Sequence, residues 1–480
     1  MNIVHAASEL FPFMKTGGLA DAVGGLTRAL AEAGHDVAVF IPGYRLALEH
    51  HEADGAERIH RLQIELGDQF LQADLLRLRL TPRLTIFFVV RDEYFDRRGA
   101  YGTNARDYDD NAERFIFFSK AVVEAMRLLD LKADVVHAHD WQTALLPLHL
   151  RLAERQHDTT LAVQTVFTVH NLSFQGTFPM GTFALTNLPQ EFRGVDGLEF
   201  FGQINLMKAG LIFADRVTTV SPTYAKEIQT SEYGCGLEGV VGTRAGDLVG
   251  LLNGIENSVW DPATDLLLPA RYTVDDCSGK AKCRRALLKK CGFDPDSAAP
   301  IYGMISRLVE QKGLDLLLGA SRFFEKEDCR LVVVGLGQSR YEEALQELAA
   351  ANPSRIALAR VLDEPMTHLV EAGADFFLMP SVFEPCGLNQ MYSQRYGTIP
   401  LCSRVGGLLD TVIDIEDRPD TGTGLLFTPS VQGLTWALER SQVLFRDKPR
   451  LHQVIRRGMQ RDFGWAVAAK QYERLYRETL

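Results

Sequence analysis

Lys15-Thr16-Gly17-Gly18-Leu19-Ala20-Asp21 follows a β-run from Asn2 to Ala7 and a loop through Pro12, and it opens an amphipathic helix with Leu26 and Leu30 on its inner face. Strand, loop, paired glycines and helix form the opening unit of a doubly wound α/β fold. Paired glycines let a ligand come close to free backbone N–H groups at the positive end of a helix. The Lys15 ammonium stands beside them, so a diphosphate site at Lys15, Gly17 and Gly18 is one reading. Glycines that serve only helix-strand packing are the other.

Outward from this unit, short apolar runs alternate with helical periods at Asp36 to Ile41, Leu84 to Val90, Val135 to Ala138, Val163 to Val169 and Arg216 to Val220. A second series follows Pro300: Ile301 to Ile305, Leu331 to Val334, Arg355 to Leu358, Asp375 to Met379 and Ile399 to Cys402. Continuous apolar strands of this kind are buried on both faces of a parallel sheet. Two Rossmann-like, doubly wound domains in tandem are expected, with the junction near Asn253 to Thr264 and a last helical segment from Gln460 to Leu480.

The 480 residues are too many for one ordinary core. With 51 Lys and Arg against 62 Asp and Glu, the net charge is −11, and the absence of a basic run argues against a nucleic-acid partner. No apolar stretch reaches the ~20 residues of a membrane-spanning helix, and the first strand starts too early for a signal peptide. The seven cysteines lack zinc-site spacing and read as reduced thiols, which points to the cytoplasm.

Ligands of open parallel sheets collect beyond the carboxyl ends of the strands. Glu9 and Lys15 follow the first strand; His139, Asp140 and Trp141 follow Val135 to Ala138; His170 and Asn171 follow Val163 to Val169. In the second half, Arg307 and Lys312 precede a helix, and both cations can face one departing diphosphate; a solvated loop pairing with Glu310 is the alternative. Glu384 sits on a strand-to-helix turn where it can accept bonds from sugar hydroxyls or simply cap the helix, while Gly387, Leu388 and Asn389 offer N–H groups to a phosphate beside Cys386. His137 and His139 point the same way on a strand, but no third ligand of suitable spacing is evident, so no metal site is expected. His170 reads as a base, an electrostatic stabiliser or a hydrogen-bonded core histidine.

Taken together these segments resemble the bacterial glycogen and plant starch synthases. The resemblance runs through Lys15 to Leu19, Asp109 to Phe115, His137 to Trp141, His170 to Gly176, Ser221 to Ala225, Tyr233 to Leu237 and Leu252 to Ile255. It continues through the Arg307 and Lys312 segment, Glu384 to Asn389, Gly406 to Leu408 and Asp462 to Trp465. It implies the GT-B architecture: a first domain over 1–253 for the glucan acceptor, a second over 254–459 for the nucleotide sugar, the two facing a deep cleft, and a final helix over 460–480 returning to the first domain. The implied reaction moves glucose from ADP-glucose to the non-reducing end of glycogen or a malto-oligosaccharide with retention of configuration, without metal or cofactor. By the same resemblance His170, Arg307, Lys312 and Glu384 are the catalytic set. Lys15, Gly17, Gly18, Asn253, Leu362, Cys386, Gly387, Leu388 and Asn389 touch the donor, and Glu9, Asp21, Asp140, Trp141 and Asn171 the acceptor.

Four positions depart from the family pattern. Val361 and Leu362 replace a glycine-tyrosine pair whose ring stacks on adenine, Val382 replaces a basic residue before Phe383, and Val405 replaces a threonine before Gly406. Weakened or altered base discrimination is expected, with UDP-glucose or another nucleotide sugar as an alternative donor. A glucan-binding protein that has lost the chemistry is a rival reading. A dinucleotide oxidoreductase is another, disfavoured because G-x-G-x-x-G spacing is missing from the first turn.

Overall fold

The computed structural model describes residues 1–103, 106–155, 161–361 and 363–480, so Leu362 lies outside the described residues. The chain divides into two compact units, Met1–Gly254 with Trp465–Leu480, and Ile255–Gly464.

The first unit is built on a nine-stranded sheet. Its strands are β1 (Asn2–Ala6), β2 (Asp36–Pro42), β3 (Glu57–Leu66), β4 (Gln69–Thr81), β5 (Leu84–Val90), β6 (Val135–His139), β7 (Gln164–Val169), β8 (Arg216–Thr219) and β9 (Leu248–Gly250), in the order β9-β8-β7-β6-β1-β2-β5-β4-β3. From β9 to β5 all pairs are parallel, and β1 and β6 are buried almost end to end, as strands covered on both faces must be. Helix α1 (Gly18–Glu32) follows β1 and buries Val23, Leu26 and Leu30.

The antiparallel β3–β4 hairpin was not among the strands expected. Its first strand alternates, over its last half, buried and exposed residues (Leu62, Ile64 and Leu66 in; Arg61, Gln63 and Glu65 out) before a turn at Gly67, whose φ is +62°. A strand with one wet face carries charge or polarity at every other position and lacks the continuous apolar run that marks its parallel neighbours.

The last helix of the chain, α2 (Trp465–Thr479), packs within the first unit and begins later than the helical segment expected from Gln460. Before it, the Gly464 N–H bonds Asp462 Oδ1 at 2.8 Å and the Phe463 carbonyl accepts from the Ile255 N–H at 2.8 Å, which takes those residues out of helical pairing. Trp465 lies against two glycines: a Cβ on Gly25 of α1 would come within 1.9 Å of the indole Nε1, and one on Gly254 within 2.7 Å of Trp465 Cα.

The second unit carries a six-stranded, all-parallel sheet of β10 (Ile301–Ile305), β11 (Arg330–Val334), β12 (Ile356–Ala359), β13 (Phe376–Met379), β14 (Ile399–Ser403) and β15 (Leu425–Phe427), ordered β12-β11-β10-β13-β14-β15. Two apolar clusters cover it, one around Tyr302, Leu331 and Phe376, the other around Ile301, Val332 and Phe377. The alternation of odd and even strand positions between the clusters is the period-two signature of a sheet buried on both faces.

Candidate active site

In the first unit the loop after β1 is held by one carboxylate. Glu9 accepts hydrogen bonds from the Thr16 N–H at 2.5 Å, the Thr16 hydroxyl at 2.7 Å, the Gly17 N–H at 3.3 Å and the Tyr101 hydroxyl at 2.7 Å. Both Glu9 oxygens shape the Lys15–Gly17 turn and one also holds Tyr101. Lys15 Nζ lies 2.8 Å from Asp21 Oδ1, across the first turn of α1, with 47% of the lysine side chain exposed. Gly17 is the extended residue before the helix, and a Cβ on Gly17 or on Gly18 would meet nothing within 4 Å. This excludes helix-strand packing as the reason for that pair. Packing glycines occur further along α1, where a Cβ on Gly24 would come 2.9 Å from the Phe11 carbonyl and Gly25 meets Trp465.

Behind this loop, Asp140 ends β6 with φ +56°, a left-handed conformation that few side chains adopt. Its carboxylate accepts the His170 N–H at 2.7 Å, tying the end of β6 to the end of β7. Burial pushes the Asp140 carboxyl up to about 7, against the lowering effect of the His170 and Asn171 backbone donors. Trp141 packs edge-on to Phe115 with ring centroids 5.1 Å apart, and a Cβ on Gly176 would strike its ring at 2.4 Å. The Asn171 side chain accepts the Ser173 N–H at 3.0 Å and so stabilises its own turn. Asn253 is buried past the end of β9.

The structure supplies the third histidine that spacing did not reveal. His5, His137 and His139 place ring nitrogens within 4.8 Å of one another, because His5 is the register partner of His137 on the neighbouring strand. Their nitrogens serve hydrogen bonds: His137 pairs with the Tyr476 hydroxyl at 2.7 Å and the Thr168 hydroxyl at 2.5 Å, and His139 with His5 and His170 at 3.0 Å each. Burial lowers the pKa of His5 and of His170 to about 3 and that of His139 well below its ordinary value, so these rings are neutral at physiological pH.

In the second unit, Lys312 Nζ and Glu384 Oε2 pair at 2.6 Å, and Ser381 Oγ donates to the same oxygen at 3.0 Å. Lys312 leads into Gly313, which has φ +70° and leaves no room for a side chain: a Cβ there would lie 1.8 Å from the Pro380 carbonyl oxygen. Arg307 is exposed and forms no ion pair among the described residues, so Glu310 does not hold it; Glu310 faces Arg340 at 3.4 Å. The segment bearing Arg307 is backed by the Gly335-Leu336-Gly337 turn, which sequence reading passed over. The Leu308 N–H bonds the Leu336 carbonyl at 2.8 Å, and a Cβ on Gly337 would come 2.3 Å from the Leu308 carbonyl oxygen.

Gly387 adopts φ +71° just before helix α3 (Asn389–Arg395), with Cys386 buried beneath it. Asn389 donates its side-chain amide to the Ile305 carbonyl at 3.2 Å, pinning this helix start to β10, while Leu388 is partly exposed. Gly407 gives its N–H to the Glu384 carbonyl at 3.1 Å and has Cys386 backbone where a Cβ would be. Of the departing positions, Val361 and Val382 are exposed, whereas Val405 is buried in the second apolar cluster.

Two Rossmann-like sheets in tandem, with Lys15 after the first strand of one and Arg307 and Lys312 after the first strand of the other, are the architecture of a GT-B glycosyltransferase. Residues 2–243 match the family model for the starch synthase catalytic domain, and residues 293–460 that for glycosyl transferases group 1. A glycogen synthase from Opitutus terrae is 61% identical over 480 residues, covering 100% of both chains, and one from Myxococcus xanthus is 44% identical over 487 residues, covering 100% of this chain and 99% of the other. The catalytic domain of starch synthase IV from Arabidopsis thaliana, bound to ADP and acarbose, superposes with a TM-score of 0.91 at 32% identity, covering 100% of this chain and 99% of that one. A sucrose-phosphate synthase from Thermosynechococcus elongatus shares the fold, with a TM-score of 0.62 at 19% identity and coverage of 99% of this chain and 98% of its own. The chain belongs to the glycogen and starch synthase family.

Proposed function

We propose that this protein transfers glucose from ADP-glucose to the non-reducing 4-hydroxyl of an α-1,4-glucan, retaining the anomeric configuration. The observation that carries this reading is the Lys312–Glu384 pair with the unpaired Arg307 on the same loop. As the C1–O bond of the donor breaks, negative charge grows on the diphosphate. Arg307 and Lys312 meet it, together with N–H groups after Gly387 and that of Gly18. Glu384 accepts bonds from hydroxyls of the transferred glucose, Lys15 contacts the donor, and Asn253 helps place the sugar. The His170 backbone carbonyl faces the developing positive charge at the anomeric carbon, and Asp140 and Trp141 line the acceptor side.

No residue of this set is assigned as a covalent nucleophile. The acceptor oxygen attacks C1 from the face that the phosphate leaves, a C1–O4 bond replaces the C1–O phosphate bond, and the acceptor's proton passes to the departing phosphate. The choice of ADP is supported by the ADP bound in the starch synthase IV relative. All seven cysteines are free thiols, which supports a reducing, cytoplasmic setting.

Incubation of the purified protein with glycogen and either ADP-glucose or UDP-glucose, following labelled glucose into polymer, tests the proposal. Incorporation from ADP-glucose with α-1,4 linkage is expected. Preference for UDP-glucose would overturn the donor assignment and point to Val361 and Leu362 as its cause. A glucosyl ester trapped on any side chain would overturn the front-face route, and no transfer from either donor would favour a glucan-binding protein.

A further inference from the structure

Beneath the Asp140–His170 junction three imidazoles stand in series. His170 Nε2 lies 3.0 Å from His139 Nδ1, and His139 Nε2 lies 3.0 Å from His5 Nδ1, with the His5 and His139 rings only 12° from parallel. His5 and His139 are 0% and 1% exposed, and His5 Nε2 is buried with no hydrogen-bond partner among the described residues. The series therefore has one dead end, in the sheet, and one open end, His170 Nδ1.

A neutral imidazole has one N–H and one lone pair, so each link needs a donor on one ring and an acceptor on the next. The tautomers of the three rings are locked together, and only two polarities exist. In the first, His170 donates from Nε2, His139 donates from Nε2, and His5 is left with a buried N–H and no acceptor. In the second, His5 donates from Nδ1, His139 donates from Nδ1 to His170 Nε2, and only a lone pair remains unpaired at the dead end. An orphaned buried N–H is the rarer defect, and leaving one unmet costs the full desolvation of the donor.

We infer that His5 and His139 are positioning residues that lock His170 as its Nδ1–H tautomer, so that this ring meets substrate as a hydrogen-bond donor. The inference rests on the reading of His170 as a substrate-contacting residue. It also places all three rings in the tautomer that free histidine populates less, a signature that isolated core histidines would not share. His137, equally buried and beside them, is outside the series because Tyr476 and Thr168 take both its nitrogens.

Long-range proton–nitrogen NMR of the full-length, 15N-histidine-labelled protein reads the tautomers directly. Protonated Nδ1 and bare Nε2 are expected at His170, His139 and His5; protonation of His170 at Nε2 overturns the inference. His139→Leu should release the His170 tautomer and lower turnover about tenfold to a hundredfold with the glucan KM within threefold. His137→Phe should leave the His170 nitrogens as they are, and equal disturbance by both variants would mean that the cluster only fills space. If His139→Leu does not fold, the spectrum of the unaltered protein still decides. Glucosyl transfer with His170 protonated at Nε2 would sink the lock and leave the function standing. The locked pattern without transfer would do the reverse.

Discussion

The carboxyl ends of the two sheets do their work with different materials. In the first unit, polar groups are buried and satisfy one another: Glu9 holds a loop, Asp140 holds the His170 backbone, and three imidazoles hold each other. In the second, formal charge is gathered on one loop, as the exposed Arg307 and the Lys312 that pairs with the buried Glu384. A network of buried groups that bond one another fixes geometry, whereas concentrated charge is what a leaving diphosphate requires. Turnover should therefore depend most on charge in the second unit and on shape in the first.

The largest effect expected is on turnover. Lys312→Ala should lower kcat by about a hundredfold to a thousandfold, the scale on which preorganised charge acts on a developing anion, with little change in the glucan KM. Steady-state kinetics with varied glycogen check this, and parallel losses in kcat and in glucan affinity would make Lys312 a structural residue.

Glycines separate shape from chemistry within the same comparison. At Gly313, with φ +70° and the Pro380 oxygen only 1.8 Å from where a Cβ would stand, alanine should cost about 3 kcal/mol or more of stability. At Gly18, where a Cβ meets nothing, alanine should leave thermal stability unchanged while raising the donor KM, because only a bound ligand would approach that face. Thermal unfolding and donor titration of the two variants together check the pair; a destabilised Gly18→Ala would return that glycine to a packing role.

Asp140 links pH to the buried network. Its folded pKa, about 7, lies above the ordinary 3.8, so the folded protein keeps a proton that the unfolded chain has released between those values. The contribution to stability is therefore fullest below about pH 4, falls as pH rises, and levels off above about 7. Asp140→Asn retains an acceptor for the His170 N–H but cannot ionise. Relative to the unaltered protein it should gain up to about 4 kcal/mol between pH 4 and pH 8, read from urea midpoints. A constant difference across that range would mean that Asp140 is not desolvated.

The parallel strands were legible because a strand covered on both faces writes itself as an unbroken apolar run; Leu331 to Val334 is the clearest case. The β3–β4 hairpin was not, since its charged, solvent-facing residues break the run. In the second unit, Arg307 with Lys312 and Glu384 with Gly387 each follow a strand, and the family resemblance joined these two short segments into one set. The first unit's support was hidden by distance along the chain: His5 reaches His139 only through the register that pairs it with His137, and Tyr101 reaches Glu9 across another element. Local spacing carries no record of such pairings. Glu9 shows the limit from the other side, because its position after β1 was readable but the direction of its carboxylate was not.

Val405 gives the smallest and most discriminating test of where the second unit's affinity comes from. The family pattern places threonine there, and the loss of its hydroxyl reads as a lost polar contact near the phosphates. The structure puts Val405 at 2% exposure, at the N-cap of the helix Gly406–Thr411, with its side chain in an apolar cluster and no side-chain cap. A threonine there loses the burial of a methyl group, about 1 kcal/mol, and gains a capping hydroxyl of similar worth. Val405→Thr should then shift stability by less than about 1 kcal/mol and leave the donor KM within twofold. A tenfold fall in donor KM would show that the hydroxyl turns out of the cluster to the donor, and that uncharged contacts matter at this end of the sheet as they do in the first unit.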